Sequence, residues 1–189
     1  MSTPFLILTH GAGSNSSSPL ILAVAKAFEE ADYSVIRYDL PFRQARAHGP
    51  PFPANAAQDR AGLEQIVRDV RGRAEGRSVI LGGHSYGGRQ SSMLAAEKPG
   101  LVDALLLLSY PLHPPRKPEQ LRTAHLPELR TPALFVHGTR DPFGSPEEVR
   151  QAIALIPARA ELVEVERTGH ELSPFTWTPR AVAAMTELI

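Results

Sequence analysis

The sequence predicts an α/β fold of three layers, a doubly wound sandwich of about six parallel strands in one domain spanning residues 1–189. Three observations carry this prediction. Short apolar runs recur along the chain with helical patterns between them. No two runs are joined by the two-residue Asn-Gly or Asp-Gly turns of a hairpin, and nearly every run ends at glycine, serine, aspartate or histidine.

The first run, Phe5-Leu-Ile-Leu8, is continuously apolar, as in a strand covered on both faces, and it leads into His10-Gly-Ala-Gly13. Ser18-Pro19 is an N-cap followed by proline at the first helical position, and the helix it opens reaches about Ala31 with Leu20, Val24, Ala27 and Phe28 on one stripe. Ser34–Tyr38 is the second strand. Phe42 to Ala54, with Gly49-Pro-Pro-Phe-Pro53, has no periodicity and reads as a surface loop. Asn55 with Gln58 three residues on is in capping-box register for a helix to about Gly76, whose buried stripe is Leu63, Ile66, Val67 and Val70.

Ser78–Gly82 is the third strand, and the next helix runs from Gly87 or Gly88 to Pro99-Gly100. Ala104–Leu108 is the fourth strand, followed by the proline-rich Ser109–Pro118 and a short helical turn before His125. Pro132–Val136 is the fifth. Ser145-Pro-Glu-Glu148 is a capping box that opens a helix to Leu155, Glu161–Val165 is the sixth strand, and Thr178-Pro179 caps the last helix.

In a parallel sheet, ligands bind outside the carboxyl ends of the strands. The segments there hold His10-Gly-Ala-Gly13, Ser85, Asp141 and His170. Gly83-His-Ser-Tyr-Gly87 matches Gly-x-Ser-x-Gly between a strand and a helix, the setting of a nucleophilic serine. A serine hydroxyl is a weak nucleophile at neutral pH, so a histidine has to take its proton. His170 suits that role, and Asp141 suits that of the carboxylate that orients the imidazole. The N–H groups of Tyr86 and Ala12 are expected to receive the oxyanion. Gly11, Arg43, Arg89 and Tyr110 are candidate substrate contacts, Arg43 and Arg89 for an acidic group, with a surface or helix-end role as the plainer reading of both arginines.

Other residues take plainer readings. His10 and His137 are expected to be buried packing residues, His137 a weaker alternative base. His84 is expected to point away from the serine, and His48, His113 and His125 to be exposed. Gly11-Ala-Gly13-Ser-Asn-Ser16 with Asp39 imitates a dinucleotide fingerprint, but the third glycine is missing and that reading uses neither Ser85 nor His170.

Composition narrows the partners. Twenty basic and twenty acidic residues leave no net charge, which argues against nucleic acid, and no apolar run is long enough for a membrane span. There is no cysteine, so disulfides and thiolate chemistry are absent, and no histidine pair has metal-ligand spacing. A cytoplasmic monomer or homodimer acting on a small molecule, with no cofactor and no metal, is the expectation.

With these residues in view, the chain resembles the α/β-hydrolase superfamily, and within it the small, cap-less, dienelactone-hydrolase-like members. His10-Gly-Ala-Gly13, Arg37-Tyr-Asp-Leu-Pro-Phe42 and Gly83-His-Ser-Tyr-Gly-Gly-Arg89 are similar to a subgroup shared by bacterial proteins and a regulatory subunit of a chromatin acetyltransferase complex. The resemblance implies a triad of Ser85, Asp141 and His170 and an oxyanion hole of Tyr86 and Ala12. It implies a serine hydrolase that cleaves a small carboxylic ester through an acyl-enzyme on Ser85. The alternative it allows is a weakly active or inactive protein that keeps the fold as an interaction module. Against the superfamily pattern, the first antiparallel hairpin and the cap domain are missing, so a minimal six-stranded core is expected.

Overall fold

The computed structural model describes residues 3–189. Six strands, β1 (Phe5–Thr9), β2 (Ser34–Tyr38), β3 (Val79–His84), β4 (Ala104–Leu108), β5 (Ala133–Gly138) and β6 (Ala160–Val165), form one sheet in the order β2-β1-β3-β4-β5-β6. Every neighbouring pair is parallel. The helices are α1 (Pro19–Glu29), α2 (Pro41–Ala45), α3 (Asn55–Arg73), α4 (Tyr86–Glu97), α5 (Pro146–Ile153) and α6 (Thr178–Leu188), with a 3-10 turn at Leu126–Glu128.

Successive strand side chains point to opposite faces, so an all-apolar strand needs a helical layer on each side. Phe5, Ile7, Leu105 and Leu107 pack with Leu63, Val67 and Val70 of α3, Leu94 of α4 and Val149 of α5. Leu6, Leu8, Leu106 and Leu108 pack on the other face with Leu20, Ile21, Val24 and Phe28 of α1 and Ala181 and Met185 of α6. The fold is therefore the three-layer sandwich expected. None of its helices is long and apolar enough to cross a membrane among the described residues.

Three local expectations are corrected. Residues 41–45 form a short helix where a loop was expected; proline supplies the fixed φ of a first helical residue, but five residues are too few to show a period. Asn55 does not cap α3, since Ala54 holds that position and the Asn55 carboxamide accepts from the N–H of Phe52. Likewise Trp177, not Thr178, is the N-cap of α6. The capping box at Ser145 and Glu148 forms as expected, with both reciprocal bonds present.

The chain leaves β1 toward β2 on one side and reaches β3 on the other, so the order reverses between β1 and β3. That reversal opens a crevice at the carboxyl ends of these two strands.

Candidate active site

The crevice is built around a turn with almost no room in it. Ser85 joins β3 to α4 with φ 50° and ψ −113°, a conformation that strains a residue bearing a Cβ and raises its hydroxyl above the sheet. Strand and helix meet there backbone to backbone. A Cβ on Gly88 would lie 2.6 Å from the Gly83 carbonyl oxygen, and one on Gly87 would lie 2.5 Å from that of His10. The glycines of the motif are therefore required by contact.

The loops after β5 and β6 bring two further side chains to this hydroxyl. His170 Nε2 lies 2.8 Å from Ser85 Oγ, and His170 Nδ1 lies 2.9 and 3.1 Å from the two carboxylate oxygens of Asp141. An ionised carboxylate only accepts, so Nδ1 carries the proton and Nε2 is free to accept from the serine. Burial raises the Asp141 pKa, but hydrogen bonding and charge from His170 and the Phe143 N–H outweigh it and hold the carboxyl below its usual range. The Phe143 N–H donates to Asp141 at 2.9 Å, and the Phe143 ring packs on His170 with centroids 4.3 Å apart.

Facing Ser85, the loop after β1 supplies backbone donors. Among the described residues, neither the Ala12 N–H nor the Tyr86 N–H is taken by an internal acceptor. The latter opens α4, where no intrahelical partner exists and the helix dipole favours negative charge.

Four residues hold this arrangement. The N–H of Leu40 donates to His10 Nε2, which leaves His10 Nδ1–H to donate to the Gly11 carbonyl at 2.8 Å. Burial pushes the His10 pKa down and keeps the ring neutral for that role. Arg43, a candidate substrate contact whose plainer reading is a surface or helix-end role, is only 7% exposed and donates to the carbonyls of Ala12, Ser14, Arg46 and Gly49. Its guanidinium holds the Ala12 loop through these carbonyls. Asp59, fully buried on α3, accepts from the Phe42 N–H at 2.9 Å and the Tyr86 hydroxyl at 2.7 Å. The neighbouring His84 turns toward the site, contrary to expectation, its ring 4.9 Å from that of His170 and its Nε2–H donating to the His170 carbonyl at 3.0 Å. Burial and then the charge of His170 lower the His84 pKa, so it is neutral beside the base.

Arg43→Met is therefore expected to lower kcat on a small aryl ester by about 10²-fold, because loss of a fork that fixes four carbonyls displaces a donor. Arg43→Lys is expected to recover little, since an ammonium cannot reproduce the planar fork. Paired kcat and KM measurements check this; a change confined to KM would show that Arg43 meets substrate instead.

The remaining candidates separate. Gly11 lines the cleft and lies so close to its neighbours that a Cβ would be 2.9 Å from His84 Nδ1. Tyr110 does not face a substrate: it is buried against Phe135, its hydroxyl donates to the Arg122 carbonyl at 2.8 Å, and burial pushes its pKa up to about 12. Arg89 is half-buried and lines a second cleft. His10 and His137 are buried as expected and His48 is exposed, but His113 is buried and His125 half-buried. Their proline-rich segments fold back onto the body, where the His113 N–H donates to the Phe143 carbonyl and His125 bonds Ser92. Asp39 accepts from the Ser16 N–H at 2.7 Å and so is committed to the loop, not to a ribose.

Comparison with known proteins bears on the family and the fold. An Abhydrolase_11 profile, described as an alpha/beta hydrolase domain, matches residues 2–186. A Haemophilus influenzae protein named as a candidate esterase/lipase is 32% identical over 108 residues, 57% of this chain and 34% of that protein. The chain thus spans about a third of that relative's length. Among solved structures, Est1E of Butyrivibrio proteoclasticus with ferulic acid bound superposes with a TM-score of 0.80 at 18% identity, covering 99% of this chain and 90% of that one. The dienelactone hydrolase of Anabaena variabilis does so with a TM-score of 0.76 at 20% identity, covering 99% and 85%. Matched in sequence over nearly its whole length and in fold over all but a few residues, the chain belongs to the α/β-hydrolase family.

Proposed function

We propose that the protein is a serine hydrolase that cleaves a small carboxylic ester through an acyl-enzyme on Ser85. The observation that carries the reading is the unbroken hydrogen-bonded chain from Ser85 through His170 to Asp141, beside two backbone N–H groups with no internal acceptor. Ser85 Oγ attacks the ester carbonyl as its proton passes to His170 Nε2. The Ala12 and Tyr86 N–H groups receive the oxyanion. The bond to the alcohol then breaks and His170 protonates the departing oxygen. Water, deprotonated by His170, attacks the acyl-serine next; the acid leaves and Ser85 regains its proton.

The relative named as a candidate esterase/lipase supports ester cleavage, and the fold neighbour that binds ferulic acid holds a compound of the product's class, a carboxylic acid. The open crevice, without a cap domain, suits a small substrate.

A fluorophosphonate probe is expected to label the wild type at Ser85 and to leave Ser85→Ala unlabelled. Absence of labelling in the wild type would overturn the reading in favour of the fold kept as an interaction module.

A further inference from the structure

Two clefts meet at Ala12. One, of about 380 Å³, is lined by Gly11, Ser85, Phe143 and His170. The other, of about 400 Å³, is lined by Pro50, Pro51, Phe52, Pro53, Tyr86 and Arg89. The proposed chemistry assigns them different halves of the ester. His170 has to protonate the departing oxygen, so the alcohol lies in the cleft His170 lines. The acyl chain then extends past the oxyanion pair into the cleft of the four residues 50–53.

This acyl cleft is apolar along one wall and carries an unpaired cation on the other. Among the described residues Arg89 makes no ion pair, and its Nε is buried without a hydrogen-bond partner. Arg60 pairs with Glu97, Arg71 with Asp103 and Arg68 with Glu64, whereas Arg43 spends its guanidinium on carbonyls. A larger cleft of about 480 Å³ before β4 is likewise basic, but Arg68, Arg71 and Lys98 there are all taken by Glu64 and Asp103. The acid nearest the Tyr86 ring, Asp59, spends its two oxygens on Phe42 N–H and Tyr86 O–H.

Beside Arg89 lie the Tyr110 hydroxyl and a second arginine. Burial and then the Arg89 charge lower the pKa of Arg122, whose guanidinium donates only to the Pro111 carbonyl among the described residues. Burial, then Arg89 and Arg60, bring His125 down to about 4, so the imidazole is neutral and adds no further positive charge. Two half-buried guanidiniums kept close with no carboxylate repel each other, a cost that an anion placed between them and the cleft would offset. Arg89 lies one helical turn beyond Ser85, about 6 Å along the axis of α4, so the anion sits a short chain away from the reacting carbonyl.

Resting on the serine-hydrolase reading, we propose that the Pro50–Pro53 cleft is the acyl subsite and that Arg89 selects acyl groups ending in a carboxylate, so that the preferred substrates are monoesters of short dicarboxylic acids.

The test compares three aryl esters, with Ser85→Ala as the blank for spontaneous hydrolysis: the 4-nitrophenyl monoester of glutaric acid, the same compound with its far carboxyl capped as a methyl ester, and 4-acetoxybenzoate, whose charge is on the alcohol. The wild type is expected to favour the first over the second by roughly 10- to 100-fold in kcat/KM, the scale of a charge-assisted hydrogen bond, mainly through KM. Arg89→Met is expected to bring that ratio close to one and Arg89→Lys to restore part of it. A wild-type ratio below threefold, or a full ratio in Arg89→Met, overturns the role of Arg89. A preference for 4-acetoxybenzoate over uncharged 4-nitrophenyl acetate that vanishes in Arg89→Met overturns the assignment of the clefts. If the wild type turns over none of these esters and is not labelled at Ser85, the hydrolase reading itself fails.

Discussion

Ser85→Ala is expected to lower kcat on an activated aryl ester by about 10⁶-fold, and His170→Ala by a similar factor, as in the best-measured serine hydrolase. The two residues share one proton and one reacting bond, joined at 2.8 Å, so their losses are not additive. The double variant is expected to be no slower than either single one, with the residual rate owed to the oxyanion donors and to binding. Stopped-flow and long-time assays of the three variants, with thermal melts to show they are folded, check this. Single losses under about tenfold would remove Ser85 and His170 from the reaction.

Asp141→Asn is the second large effect, about 10⁴-fold in kcat, with a melting temperature that is lowered at neutral pH and approaches that of the wild type in acid. A carboxamide in this place donates to His170 Nδ1, so the ring moves its proton to Nε2 and has no lone pair for the Ser85 hydroxyl. Acid unfolding distinguishes the variant a second way. The Asp141 carboxyl is held below its usual range in the fold, so its contribution to stability is present above its unfolded pKa and is lost as pH falls through the folded value. Between neutral pH and about pH 3 the wild type is therefore expected to lose melting temperature more steeply than Asp141→Asn. Equal slopes would show that Asp141 is not the group bonded to His170.

Much of this site is legible in the sequence because its chemistry follows strand ends. Ser85, Asp141 and His170 each lie beyond the end of a strand, and a parallel sheet gathers such positions at one edge. Residues that act through a fold-back are harder to find. Arg43 lies beside a proline-rich segment, where exposure is the ordinary expectation, yet the short α2 points its guanidinium down at the carbonyls of the Ala12 loop. Phe143 from the loop after β5 and His84 from the end of β3 meet His170, and no local pattern encodes that meeting. Asp59 was within reach: it stands one turn before Leu63 on the stripe continued by Val67 and Val70, and an aspartate on a buried stripe signals a bound partner. Tyr110 was misread because a tyrosine after a strand end serves equally to fill the core, as it does here against Phe135.

The backbone-to-backbone contact at Gly83, Gly87 and Gly88 bears on how such a protein can diverge. Side chains can be exchanged one at a time and repacked, but a contact between main chains leaves nothing to exchange, so mutation has no gradual path through it. Variation is confined to surfaces that do not support this turn or the Arg43 fork, and the segment from Pro50 to Pro53 is such a surface, exposed over most of its length and forming a wall of the second cleft. New substrate ranges can therefore arise by rewriting that wall alone, and the reaction persists while its clientele changes.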